Sequence, residues 1–333
     1  MALTQLESYR EQIIIIGREA YRKGLVVAWG GNISVRLNPS EFLMTAHQAA
    51  LGFLSSKDFL VMDLKGTIVS GEGKPSTETK LHSAIYQNTE AEAVVHLHPP
   101  HTNVLAVKGV KITPMTFESS LFLGTTPVIA QESPSVTHPE KVIETLKLSN
   151  IIILREHGTV AVGCSLWEAF FLTEILEEAA MMAYLGESLE APAAKEEKAA
   201  SSKREGLILY PVFSKEHIEK VIELVNSDEE VQRLGVSTHL TVRYAIKLLD
   251  TDQVYNFHFQ EGKIIKVSND EDADFVIAGK REQWVAVLNG QIDPFAATTQ
   301  KKLKLQKGNV GDLSKWYPPF YRVFKLWEYA PVE

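Results

Sequence analysis

The sequence predicts an α/β layered unit followed by an α+β unit, and three observations carry this. Up to about residue 185, short apolar runs of strand length are interspersed with amphipathic helical stretches, the pattern of a sheet covered by helices. Beyond about residue 210, strand runs cluster and helices gather at the ends, which indicates α+β organisation. Between them, the stretch from Gly186 to Gly206 is charged, rich in Ala and Ser, and short of large apolar residues. Such a composition cannot bury a core and suits a linker. The predicted division is 1–186, a linker at 187–206, and 207–333.

In the first unit, Leu3 to Lys23 carries Leu6, Tyr9, Ile13, Ile16 and Ala20 at helical spacing, and Gly24 closes it. Ile33-Ser34-Val35 and Phe42-Leu43-Met44 read as short strands parted by Asn38-Pro39-Ser40. Phe59 to Met62 and Thr67 to Val69 flank a turn at Asp63 to Gly66. Ser76 to Gln87 reads as a helix capped by Ser76 or Thr77, burying Leu81, Ala84 and Ile85. Val94 to His98 is a strand, Pro139 to Leu146 a helix, Ile151 to Leu154 a strand, and Leu166 to Leu185 a long helix. In the second unit, Ser214 to Asn226 is amphipathic through Ile218, Val221, Ile222 and Val225. Thr241 to Leu248, Val254 to Gln260, Lys263 to Val267, Phe275 to Ile277 and Lys302 to Gln306 read as strands. Gln260 to Lys263 makes a hairpin turn, Gln283 to Asn289 a helix closed by Gly290, and Trp316 to Trp327 a last aromatic helix.

Composition narrows the function classes. With 333 residues there is room for two domains, and 45% hydrophobic against 23% charged is globular. A net charge of -8 argues against a nucleic-acid or anionic-membrane surface. The basic group Lys301, Lys302, Lys304 and Lys307 reads as a solvated strand or loop. Cys164 is the sole cysteine, so no intrachain disulfide forms; beside Gly163 it reads as a small core residue. No run approaches the roughly 18 apolar residues of a membrane span. Glu7, Arg10 and Glu11 interrupt any signal-peptide pattern, so the expected location is cytoplasmic.

The chemistry concentrates at His96-Leu97-His98, which ends the apolar run Ala93-Val94-Val95. Side chains at i and i+2 of a strand share a face, so two imidazoles project together. His157 ends a second apolar strand, just before Gly158, and Glu78 offers a carboxylate upstream. Three neutral imidazoles with an open fourth position make a catalytic metal site. Taken singly, each histidine could equally be a satisfied core residue.

The features fall in one order: Gly30-Gly31-Asn32-Ile33-Ser34-Val35-Arg36, Met44-Thr45, Asp63-Leu64-Lys65-Gly66, Lys74-Pro75-Ser76-Thr77-Glu78 with His82, Val94-Val95-His96-Leu97-His98, and Glu156-His157-Gly158. This order resembles the class II aldolase/adducin family over about residues 3 to 186. The resemblance implies a three-layer α/β fold and a homotetramer with sites between subunits. It implies that His96, His98 and His157 hold a divalent metal, usually zinc, with manganese or cobalt as alternatives, and that Glu78 is the catalytic acid/base. In such enzymes the metal acts as a Lewis acid that stabilises an enediolate, and the carboxylate moves a proton on it. The same resemblance makes Asn32, Thr45, Ser76 and Thr77 substrate-binding residues for a small-molecule substrate. His101 is expected to support the ligands from behind or to line the pocket, a fourth ligand being the alternative that would close the open position, and His82, one helical turn from Glu78, either orients the carboxylate or simply packs.

The chain departs from the family at three places. Trp29 replaces a phosphate-binding threonine, and its indole is expected to fill the phosphate space. The Thr-Pro-x-Gly turn becomes Thr45-Ala46-His47-Gln48, and Phe117, with Glu118 beside it, stands where a neighbouring subunit's tyrosine is expected. Residues 210 to 330 resemble the sterol carrier protein type 2 fold, through Asp272-Ala273-Asp274-Phe275-Val276-Ile277, Leu288-Asn289-Gly290 and Asp293-Pro294 among others. That family encloses an apolar ligand. Trp316, Tyr317, Phe320, Tyr321, Phe324 and Trp327 could line such a tunnel or pack an ordinary core. The expected function is a divalent-metal lyase: retro-aldol cleavage of a sugar phosphate or related hydroxy-keto compound, or a decarboxylation, with an accessory apolar-ligand domain. The alternatives are a sugar-phosphate 4-epimerase and a non-catalytic adducin-like binding protein.

Overall fold

The computed structural model describes residues 4–189, except 132, 134, 135, 137 and 138, and residues 208–333. The chain divides into two units, Met1–Glu190 and Ala191–Glu333. The last helix of the first unit runs on to Leu189, and the rest of the predicted linker, from 190, lies outside the described residues.

The first unit runs α1 (Gln5–Arg22), β1 (Asn32–Asn38), β2 (Glu41–Thr45), a short 3-10 turn at Leu51–Phe53, β3 (Phe59–Asp63) and β4 (Ile68–Ser70). It continues α2 (Thr79–Asn88), β5 (Ala93–Leu97), α3 (Pro100–Val107), α4 (Phe117–Leu123), β6 (Val128–Ile129), α5 (Pro139–Leu146), β7 (Ile151–Leu154), β8 (Gly158–Gly163) and α6 (Leu166–Leu189). The strands form one eight-stranded sheet in the order β4-β3-β2-β1-β5-β8-β7-β6. Its pairs are antiparallel except β6 with β7.

Strand alternation sorts the core into two layers. Ile33, Val35, Leu43, Val61, Val95, Leu97, Ile151 and Ile153 face α1, α3 and α6 in one cluster. Phe42, Met44, Leu60, Met62, Val94, Ile152, Leu154 and Val160 face α2 and α5 in the other. The result is the three-layer arrangement of helices, sheet and helices. Because β5 alternates with period two, His96 lies on the same face as Val94, the face that α2 covers.

Some elements differ from the sequence reading. Strand β8 is wholly buried, but its flanking glycines hide it among turn signals. Helix α3 starts at Pro100, since proline suits the first helical position as well as it ends a strand. Helix α2 begins at Thr79 rather than Ser76. Thr79 donates both its N–H, at 3.1 Å, and its hydroxyl, at 2.7 Å, to the Ser76 carbonyl, which makes residues 76–78 a turn. Cys164 is exposed, not core: it sits in the turn after β8, where its N–H donates to Glu168 Oε2 at 2.6 Å.

The second unit runs α7 (Lys215–Ser227), α8 (Glu229–Ser237), β9 (Val242–Leu248), β10 (Gln253–Gln260), β11 (Lys263–Ser268), β12 (Phe275–Gly279), α9 (Arg281–Leu288), α10 (Pro294–Thr299), β13 (Lys304–Lys307), α11 (Val310–Ser314) and α12 (Tyr317–Trp327). Its five-stranded sheet has the order β11-β10-β9-β12-β13 and is antiparallel except for β9 with β12. The aromatic stripe of α12 packs as core. Phe320 lies 4.9 Å from the Tyr244 ring and 5.5 Å from Phe259, and Trp327 lies 6.0 Å from Phe257. Tyr321 alone of the six is turned outward. Lys302 is half-buried rather than solvated, and burial pushes its amine down to about 8. Among the described residues, no helix is long and apolar enough to cross a membrane.

Candidate active site

The three histidines named from the sequence come together. His96 projects from β5 toward α2, His98 follows directly after the strand, and His157 stands in the turn joining β7 to β8. That turn is tight: Glu156 has φ 64°, a left-handed conformation for a non-glycine residue, and the His157 N–H donates to the Leu154 carbonyl at 3.1 Å. Two glycines make room. A Cβ at Gly30 would sit 2.8 Å from His98 Nδ1, and one at Gly158 would sit 2.3 Å from the Leu97 oxygen and 2.6 Å from His98 Cδ2. Only a residue without a side chain lets these loops approach Leu97 and His98 so closely.

The ring nitrogens converge. His96 Nε2 lies 3.2 Å from His157 Nε2 and 3.1 Å from His98 Nε2. His96 Nδ1 stands 2.8 Å from the Thr159 carbonyl, which can only accept, so Nδ1 carries the hydrogen and Nε2 is bare. Burial holds all three imidazoles below their ordinary range: His96 well below, His98 to about 4, and His157 lowered. Neutral imidazole is the form that binds a metal. Zn–N bonds of about 2.0–2.1 Å in tetrahedral geometry place donor atoms about 3.3–3.4 Å apart. The donor spacing here is close to that, and among the described residues these three make up the cluster able to hold a metal ion. The donor set therefore fits a divalent cation.

Around the triad lies a cavity of about 250 Å³. Gly30, Gly31 and Asn32 form one wall and Ser76, Thr77 and Glu78 another, with Trp29, Ala46, His47 and Gln48 toward the turn side. Glu78 occupies the N-cap position of α2 and is buried, and its Oε2 has no partner. Burial pushes its carboxyl above the ordinary range, while the Val136 backbone pulls the other way. Asn32 pairs across the strands with His96, and its Oδ1 is likewise buried without a partner. Buried polar atoms are nearly always satisfied, so unsatisfied ones lining a cavity point to a bound group.

Other expected residues fall differently. Ser76 and Thr77 line the cavity, but Thr45 does not; it is buried beneath, and its hydroxyl accepts the Ile33 N–H at 3.2 Å. Trp29 does not fill the anion space, because its side chain is 68% exposed and an open cavity remains beside it. Gln48, at the place of the family's turn glycine, keeps a left-handed φ of 59°. His101 lies off the cavity lining, with Nδ1 donating to Glu177 at 2.7 Å. His82 packs: its Nδ1 bonds Ser34 Oγ at 2.7 Å, Ser34 bonds the Tyr86 hydroxyl at 2.7 Å, and burial pushes the ring down to about 3. Phe117 opens α4 and is 70% exposed, away from this chain's cavity. Sequence reasoning missed Asn103 and Glu177, which hold the surrounding loops from α3 and α6. Glu177 is 76 residues from its partner His101, so no local signal could have found it.

Comparison with known proteins places both units in known families. Residues 11–184 match the family model of the class II aldolase and adducin N-terminal domain, and residues 218–316 match the SCP-2 sterol transfer family. An L-fuculose phosphate aldolase of Methanococcus maripaludis is 33% identical over 181 residues, which is 54% of this chain and 98% of that protein. A 3-oxo-tetronate 4-phosphate decarboxylase of Haemophilus influenzae is 33% identical over 180 residues, 52% of this chain and 85% of that protein. The crystal structure of L-fuculose-1-phosphate aldolase from Thermus thermophilus superposes with a TM-score of 0.50 at 30% identity, covering 55% of this chain and 97% of that one. The chain is a lyase of the aldolase and decarboxylase kind, and it belongs to the class II aldolase and adducin family, with a sterol-transfer-family unit following the catalytic one.

Proposed function

We propose that the chain cleaves a sugar phosphate or related hydroxy-keto compound, with His96, His98 and His157 as metal ligands and Glu78 as the acid/base. What supports this most is the convergence of three neutral imidazoles beside a buried carboxyl held above its ordinary range. Zinc is our choice of ion; manganese and cobalt are the alternatives. Bound there, it supplies a Lewis acid toward substrate oxygens. Glu78, desolvated, keeps its proton to higher pH than a free carboxyl, which suits it to give or take a proton at the carbon beside the ketone. Asn32 lines the cavity and helps receive the substrate's anionic end. Ser76 and Thr77, with the turn at His47 and Gln48, receive the anionic end, and Thr45 supports that end from below through Ile33.

One observation favours a second reading, decarboxylation of a β-keto acid. Phe117 cannot take the proton that a substrate hydroxyl must lose as it becomes the aldehyde in retro-aldol cleavage, a transfer that the family's tyrosine would serve. Loss of carbon dioxide from a β-keto carboxylate leaves the same type of enolate and needs no such proton acceptor. Epimerisation needs acid/base groups on both substrate faces, and an adducin-like binding role has no use for an intact triad. The full-length chain loaded with metal should be given L-fuculose 1-phosphate and, separately, 3-oxo-tetronate 4-phosphate. A three-carbon keto phosphate with an aldehyde supports cleavage, and carbon dioxide supports decarboxylation. An epimer alone, or no product with either, sinks the lyase reading for these substrates. His96→Ala should abolish turnover.

We further infer a cytoplasmic homotetramer. Exposed Phe53, Met115 and Phe117 support self-association, since large apolar side chains at a surface mark partner contacts. We also infer that the second unit binds an apolar ligand, as its family's name suggests. Lipid extraction and mass spectrometry of the purified chain test that, and no co-purifying apolar molecule would count against it. We divide the chain into a first unit that ends with α6 and a second that begins at about 207, so that the join starts at 190 rather than 187.

A further inference from the structure

Helix α3 begins immediately after the ligand pair, and Pro99 and Pro100 alone separate His98 from its first N–H groups. Proline fixes φ, so this connection is stiff. No side chain of the helix's own N-cap residue satisfies those N–H groups, because Pro99 occupies that position. Glu177 of α6 does so instead. Its Oε1 accepts from the His101 N–H at 2.9 Å and from His101 Nδ1 at 2.7 Å. Its Oε2 accepts from the Thr102 N–H at 2.9 Å and the Thr102 hydroxyl at 2.8 Å. Four donors on one carboxylate, largely shielded from water, make a rigid clamp. The next residue, Asn103, donates from Nδ2 to the His157 carbonyl at 3.3 Å. One short helix is therefore held by Glu177 and touches two of the three histidines, His98 through the diproline and His157 through Asn103.

We propose that Glu177 is a positioning residue for the metal centre: by fixing the first turn of α3 it sets the placement of His98 against His157. This rests on the reading of the triad as a metal site. It goes beyond a helix cap, because a mere cap would affect stability and leave the donor geometry alone. Groups that orient metal ligands from outside the coordination sphere typically change affinity by about 10- to 100-fold when altered.

The test uses the full-length chain loaded with Co(II), whose visible absorption reports ligand geometry, with affinity measured by chelator competition. Glu177→Gln keeps the side-chain shape but turns an NH2 toward the Thr102 or His101 donors, and it should weaken Co(II) binding about 10- to 100-fold and alter the spectrum. Asn103→Ala removes the second arm and should do the same to a lesser degree, which keeps the test decisive if Glu177→Gln does not fold. Glu168→Gln is the control. It removes a carboxylate that accepts the Cys164 N–H at the start of α6, so it should lower thermal stability with Co(II) affinity and spectrum unchanged. Wild-type affinity and spectrum in Glu177→Gln, or in Asn103→Ala alone should the other not fold, overturn the positioning role and leave the metal site standing. A wild-type chain that takes up no Co(II) overturns both.

Discussion

Glu78, the acid/base we propose, is where the proposed function and stability pull apart. Its carboxyl is buried with one oxygen unpartnered, and burial raises its affinity for a proton. Below the unfolded value near 4.5, both folded and unfolded forms are protonated and the group is neutral to stability. As pH rises through that value the unfolded chain ionises first, so folding stability on this residue's account is lost. Glu78→Gln should therefore melt higher than wild type at pH 7 in metal-free protein, with the gain gone by about pH 4, while turnover falls about 10²–10⁴-fold. Calorimetry at the two pH values and a rate assay check this. Equal melting temperatures at pH 7 would mean that the carboxyl is better solvated than its surroundings indicate. The histidines were legible one by one in the sequence because strand periodicity fixes the face of His96. That Gly30 and Gly158 are obligatory followed only from how closely their loops approach His98.

At the scale of elements, two helices of the second unit carry contrasting predictions. His217 on α7 is fully buried, and burial pushes its imidazole down to about 4, with the Ala330 backbone offsetting this only in part. The folded value is depressed, so below about 6.5 the unfolded chain takes a proton that the folded one refuses, and stability falls as pH drops toward 4. Between pH 7 and pH 5 this group alone should remove about 2 kcal/mol, a loss that His217→Leu abolishes in denaturant unfolding. On α12, Phe320→Ala should destabilise the unit by about 3–5 kcal/mol, because the ring is buried between Tyr244 and Phe259. Tyr321→Ala, on the outward face, should stay within about 0.5 kcal/mol. The amphipathic helices were legible because their apolar spacing is regular. Strand β8 and helix α3 were not, since glycine and proline serve both as breakers and as starters, and only the neighbouring chain decides which.

For the whole molecule, association is the property that the single chain leaves to be measured. Light scattering should give a tetramer, and Phe117→Asp should lower the assembly state, because a charge at an apolar contact is desolvated without a partner. A wild-type monomer would remove the self-association reading while leaving the proposed metal site as it is.

The sequence by itself determined the two units and the layered α/β class, and it singled out the three histidines and the carboxylate that the fold brings around one cavity. Those depend on local periodicity, on composition, and on an ordered set of motifs that is specific as a whole. Only the tertiary structure decided that Thr45 lies beneath the cavity, that Trp29 leaves the cavity open, that His82 is taken up by Ser34 and Tyr86, and that Glu177 holds the helix that follows His98. Each of these is a contact between residues far apart in the chain. Periodicity says which face a side chain takes, but long-range packing alone says what meets it there.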